Sequence, residues 1–200
     1  MRFKINQTPI YVTWHFLALI TFMLSLRTEN ILYAVLFSLF HETGHILAMT
    51  ALGNAPQSVA FELTGINIKR TVQTSVSLAK EIIIALSGPF FNFILFLIFV
   101  LVYSQNGNAK AINAASVNLI LMIFNLMPIK GLDGGKVLYF TVSHFSSYKT
   151  AKIILAMSSV IFILLMFSYG VYVLYITRYN FTMLIIALIL SLSMFSKEEC

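Results

Sequence analysis

Long apolar runs separated by short polar connections make up most of the chain. Stretches free of Lys, Arg, Asp and Glu cover residues 5–26, 82–106, 111–127, 153–177 and 179–196, and a further one, 31–52, is interrupted only by Glu42. A helix needs about 20 apolar residues to cross a bilayer, so the pattern predicts about six transmembrane helices. The fourth is short and ends at Pro128, which marks it as broken or partly re-entrant. Residues 57–72 follow another rule. There Val59, Phe61 and Leu63, then Ile66 and Ile68, alternate with polar or small positions around Thr64-Gly65. A period of two with a turn residue at its centre predicts a small β-hairpin. No internal repeat or low-complexity tract breaks the pattern. The expected fold is therefore all-α, a single membrane-embedded domain over 1–200 with one hairpin.

Composition sharpens this picture. The 200 residues are 59% hydrophobic and 10% charged, against roughly 45–50% and about 25% in soluble domains. With a mean hydropathy of +0.89, a soluble globular or a disordered chain is excluded. The net charge of +6 rests on basic residues scattered singly between apolar runs, which points to membrane orientation and not to nucleic acid. Six spans put ten basic residues on one side (the N-terminus, 53–81, 128–152 and the tail) and three, Arg27, Lys110 and Arg178, on the other. Positive residues favour the cytoplasm, so both termini and the hairpin are expected there. The first apolar run is too long for a cleavable signal and no A-x-A-like site follows it, so it is read as a retained span. Cys200 is the one cysteine; any metal must be held by histidine and carboxylate.

An ionisable side chain inside an apolar span costs about 2.5–3.5 kcal/mol on insertion scales, and Glu42 sits between two histidines in His41-Glu42-Thr43-Gly44-His45. Four residues are about one helical turn, so His41 and His45 share a face and can bind one zinc, with Glu42 as general base to a zinc-bound water. The alternative is a polar stripe for helix packing, with Gly44 and Ala48 as a small-residue contact. Catalytic zinc takes three protein ligands. Asp133, in Asn125-Leu126-Met127-Pro128-Ile129-Lys130-Gly131-Leu132-Asp133-Gly134-Gly135, is the better candidate third ligand, because His15 and His144 suit packing or interfacial positions. Pro128 must break the fourth span, and irregular backbone at membrane depth is tolerated where it lines a polar cavity. Read alone, Asp-Gly is equally an ordinary turn. In Ser87-Gly88-Pro89-Phe90-Phe91-Asn92, Pro89 suits a first turn or a kink, and the Asn92 amide suits bonding across helices.

HETGH in the second span, SGPFFN at the third and NLMPIKGLDGG after the fourth, in that order, resemble the site-2 protease family of intramembrane zinc metalloproteases. The stretch NLMPIKGLDGGKVLYF and its spacing are most similar to the sporulation branch, which processes sigma-factor precursors at stage IV. The resemblance spans roughly residues 5–196. It implies one Zn2+ per chain on His41, His45 and Asp133, with Glu42 as the base. It also implies a membrane-tethered protein substrate, a membrane regulatory or inhibitory partner, and a bacterial cell or forespore membrane. Asn125 is then a donor to the oxyanion or a residue that fixes the broken helix, while Gly88, Pro89, Asn92, Pro128, Gly134 and Gly135 shape the motifs. Three departures stand out. The sporulation enzyme carries a nucleotide-sensing CBS domain after its last span, where this sequence stops at Cys200. Gly131 stands where relatives often have proline, and the hairpin reads Leu63-Thr64-Gly65-Ile66 where a Gly-Gly pair is common. PDZ insertions are also missing. Two other functions fit an apolar chain with this motif: a catalytically inactive adaptor for transmembrane clients, and a metal transporter.

Overall fold

The computed structural model describes residues 2–5, 8–12, 29–53, 58–62, 65–69 and 77–195. Residues 13–28, with His15 and most of the first expected span, lie outside the described residues, as do 196–200 with Cys200. The described elements run β1 (Arg2–Ile5), β2 (Thr8–Val12), α1 (Glu29–Ala51), β3 (Ser58–Glu62), β4 (Gly65–Lys69), α2 (Leu78–Asn106), α3 (Ala109–Asn125), α4 (Asp133–Phe145), α5 (Tyr148–Thr177) and α6 (Thr182–Phe195). The chain divides into two compact units, Met1–Phe124 and Asn125–Cys200.

In the first unit the four strands form one sheet in the order β1-β2-β3-β4. β3 and β4 pair antiparallel, Val59 opposite Ile68 and Phe61 opposite Ile66. β2 lies parallel to β3, with Ile10 opposite Val59. A membrane span beginning at residue 5 is therefore corrected: β1 and β2 occupy Arg2–Ile5 and Thr8–Val12. Absence of charge alone misread this segment, because Asn6, Gln7 and Pro9 suit a turn and a strand start better than a helix entering lipid.

α1 and α2 pack antiparallel along their length. Phe37 meets Phe99 with ring centroids 5.5 Å apart, and a methyl group on Gly44 would stand 2.8 Å from the Ser87 carbonyl. Farther along, Lys80 Nζ donates to the Leu52 carbonyl at the C-terminal end of α1, where a cation also complements the helix dipole. α2 opens on Ser77, whose Oγ accepts from the Lys80 N–H, and closes on Gly107 in the left-handed conformation. Pro89 thus lies inside a 29-residue helix and not in its first turn. On α3 the buried residues Ala111, Ala114, Ala115 and Asn118 fall on one face.

In the second unit, residues 128–152 are not simply a connection. α4 fills Asp133–Phe145, and its Tyr139 packs with Ala151 and Leu155 of α5. Ser147 caps α5, accepting from the Thr150 N–H. α5 and α6 approach closely at Gly170, where Leu184 lies against the bare Cα.

Among the described residues, three helices, within Asn30–Ala51, Leu78–Asn106 and Tyr148–Thr177, are long and apolar enough to cross a membrane. At 1.5 Å per residue, the 17 residues of α3 and the 14 of α6 extend about 26 and 21 Å, short of a hydrocarbon core of about 30 Å. Large apolar side chains such as Leu101, Leu164, Leu165 and Leu192 are about 60% exposed. A water-soluble monomer rarely presents apolar surface on this scale; lipid is its natural solvent.

Candidate metal centre

Helical periodicity alone puts His41 and His45 on one face of α1, and the structure shows what that face meets. Both imidazoles are buried, at 4% and 5% exposure. His45 Nδ1 lies 2.7 Å from the Ile84 carbonyl of α2. A carbonyl only accepts, so Nδ1 carries the proton and Nε2 keeps its lone pair. This backbone bond to the remote nitrogen is the usual means by which a metal-binding histidine is oriented and made more basic. Ser87 Oγ donates to the same carbonyl at 2.6 Å and also lies 3.3 Å from His45 Nδ1.

The two Nε2 atoms lie 3.2 Å apart. Two nitrogens each about 2.0–2.1 Å from a tetrahedral zinc are separated by about 3.3 Å, so the pair has the spacing of two ligands on one ion. Gly88 leaves room beside them: a Cβ there would stand 2.5 Å from His41 Nε2 and would also collide with His45 Nε2. The SGPFFN segment therefore does more than pack helices, because its glycine is what lets the imidazole nitrogens sit side by side. Glu42 is half-buried on the same helix, about 100° around from His41.

Asn92, one turn beyond Gly88, corrects an expectation. It is wholly buried, yet among the described residues neither its Nδ2 nor its Oδ1 has a hydrogen-bond partner, so the amide bridges none of the described helices. Gly44 and its neighbours do pack on α2, and the packing stripe and the histidine pair share the same face.

Asp133 is the first residue of α4, 4% exposed, where the helix N-terminus favours a negative charge. Lys136 donates to its Oδ1 at 3.0 Å. The residues around it hold the backbone in a tight fold. A Cβ on Gly134 would run into the Leu126 carbonyl, and one on Gly135 into the Ile129 carbonyl. Gly131 has φ +96°, a value closed to proline, whose ring holds φ near −65°. Glycine at this position thus suits the local backbone, which proline could not adopt. Asn125 ends α3 and is half-buried, and Pro128, which cannot donate a backbone hydrogen bond, follows three residues later. His144 is exposed at the end of α4, its ring edge-on to Phe145.

Asp133 in the second unit is buried, as His41 and His45 are in the first, and each of the three offers a donor atom that a metal ion takes. Two neutral imidazoles and one carboxylate suit zinc and leave a coordination position for water. The residues fit the metal.

Comparison with known proteins agrees with this chemistry. The model of Peptidase family M50 matches residues 108–167. A curated zinc metalloprotease of Methanocaldococcus jannaschii is 28% identical over 167 residues, 76% of this chain. The chain spans about half, 48%, of that relative's length. The solved site-2 protease from Methanocaldococcus jannaschii shares the fold, with a TM-score of 0.71 over 100% of this chain and 96% of that one at 20% identity. The chain is thus similar to Peptidase family M50 over residues 108–167 and to a zinc metalloprotease over most of its length, and it shares the fold of a solved site-2 protease.

Proposed function

We propose that the protein is an intramembrane zinc metalloprotease that hydrolyses a peptide bond in or near a transmembrane segment of a membrane-tethered protein. The observation that carries this reading is the pair of buried Nε2 atoms at ligand spacing, with Gly88 holding the space beside them open. His41, His45 and Asp133 would hold the ion. Bound zinc supplies Lewis acidity at the scissile carbonyl and makes water acidic enough to ionise near neutral pH.

Glu42 takes the proton from the attacking water and returns it to the leaving amine. Ile84, through its carbonyl, keeps His45 in the tautomer the chemistry requires. Asn125 donates a hydrogen bond to the developing oxyanion. A helical substrate hides its peptide bonds, so it must unwind first. Among the described strands β4 is at an edge of the sheet, and an extended segment joins there as a further strand. With both termini in the cytoplasm, as the distribution of basic residues favours, cleavage releases a cytoplasmic product. The similarity of Asn125–Phe140 to the sporulation branch favours a sigma-factor precursor or another transcriptional regulator.

Co-expression with a membrane-tethered candidate substrate tests the proposal. Cleavage by the wild-type chain that Glu42→Gln abolishes is expected. Identical product from both would leave an adaptor as the better description. About one zinc per chain that drops in Asp133→Ala is expected, and a zinc content that Asp133→Ala leaves unchanged would instead favour a transporter.

A further inference from the structure

We propose that α5 carries a positioning device for the aspartate ligand: Ser158 and Ser159 strap the Pro128–Lys130 segment to the helix and so fix the backbone that delivers Asp133. This rests on the protease reading above, since the strap matters to function only if Asp133 binds metal. Its geometry lies wholly within the second compact unit.

Ser159 is 0% exposed, in the midst of an apolar helix. Polar side chains at such a depth are costly without partners, and Ser159 has two. Its Oγ accepts the Lys130 backbone N–H at 2.8 Å and donates to the Leu155 carbonyl at 2.6 Å. The hydroxyl thus serves as donor and acceptor at once, a combination that alanine lacks and a cysteine thiol supplies only weakly. Ser158 Oγ donates to the Pro128 carbonyl at 2.8 Å. Two adjacent serines therefore grip the chain on either side of Ile129, whose side chain is itself 0% exposed. A third tie runs from Lys130 Nζ to the Met194 carbonyl at the end of α6, 2.8 Å away.

The held segment passes its constraint to Asp133 over a short path. The Leu132 N–H donates to the Ile129 carbonyl, and Leu132 is the N-cap of α4. Gly134 and Gly135 rest against the Leu126 and Ile129 carbonyls, and Leu155, whose carbonyl receives the Ser159 proton, lies 3.3 Å from where a Gly135 side chain would begin. Loop, helix N-terminus and α5 are thus interlocked, with Asp133 as the first helical residue beyond. Ser158 and Ser159 are positioning residues; they act through the loop, as groups that orient a metal ligand do elsewhere.

The full chain in detergent micelles provides the test, with zinc affinity, kcat and KM, and hydrogen exchange at the Lys130 amide as readouts. Ser159→Ala is expected to weaken zinc binding on the order of tenfold. It should also lower kcat with little change in KM and hasten exchange at Lys130. Ser158→Ala, at a half-buried position, should move the same readouts less, and it serves if Ser159→Ala does not accumulate. Unchanged zinc affinity together with unchanged Lys130 exchange in both variants overturns the strap and leaves the protease reading intact. A wild-type chain that binds no zinc and cleaves no better than Glu42→Gln overturns the protease reading, and the strap's functional role with it.

Discussion

His41 and His45 present their Nε2 atoms to each other across 3.2 Å, and the α-carbon of Gly88 lies close enough that a single methyl group there would strike both. The relationship ties a residue of α2 to a function carried by α1. Gly88→Ala should therefore drive the imidazoles apart with no change of charge or ligand identity. Zinc retained on purified protein is expected to fall by about tenfold or more, the effect typical of disturbed ligand orientation, with cleavage falling in parallel. Metal analysis beside an activity assay checks this, and full zinc occupancy in Gly88→Ala would remove Gly88 from the site.

Glu42 has a different task, and its variant should separate binding from chemistry. Glu42→Gln retains size and polarity but cannot take a proton. Zinc content should stay near one per chain, while kcat falls by about a hundredfold to ten-thousandfold, the span usual for loss of a general base. Loss of zinc together with activity in this variant would mean that Glu42 holds the site together and does not act on the substrate.

The histidine motif was legible because a four-residue spacing has one meaning on a helix, and because a carboxylate amid apolar residues needs a reason. Asp133 was less so. Its neighbourhood reads as a turn until the loop's own geometry is known, and likeness to a family carried the assignment further than spacing did. α4 was hidden for a physical reason: Lys130, Lys136, Gly131, Gly134 and Gly135 give residues 128–152 the composition of a connection. The glycines are there for close backbone contact with Leu126 and Ile129, which no one-dimensional pattern encodes. Ser158 and Ser159 lie in an apolar run with no motif to mark them. Only their partners, Pro128 and Lys130, about thirty residues away, reveal their use. At the N-terminus, counting charges alone let strand residues pass as the start of a span.

Gly131 offers a test of the loop apart from the strap. Its φ of +96° is strained for any residue with a Cβ, so Gly131→Ala should cost about 1–3 kcal/mol, seen as a lower Tm. Gly131→Pro should be worse, because proline cannot take a positive φ at all. A Gly131→Pro chain with wild-type Tm and activity would show that the loop does not need the positive φ.

Zinc removal should weaken the fold as well as the chemistry. An ion bound to the native state alone stabilises it by about 2.7 kcal/mol when its free concentration is a hundred times Kd. Chelation is therefore expected to lower Tm, and zinc to restore it. His45→Ala should start from the lower Tm and respond to neither treatment. A Tm that chelator leaves unmoved in the wild-type chain would place the ion outside the buried pair.

Orientation in the membrane can be tested with the single native cysteine. Ten basic residues against three favour termini in the cytoplasm, and Cys200 is a natural reporter because no other thiol competes. In intact cells a membrane-impermeant maleimide should leave it unlabelled, while inverted vesicles should label it fully. The sidedness matters for mechanism. If the charge distribution sets the topology, the N-terminus, residues 53–81 and residues 128–152 all face the cytoplasm, so α1 descends towards that side and the Asp133 loop is approached from it. Water and the unwound substrate then arrive from the cytoplasmic side, and the released fragment is free to act there. Labelling of Cys200 in intact cells would reverse the orientation and direct the product to the opposite face. The buried histidine pair would be unchanged, but the proposed release of a cytoplasmic regulator would fail.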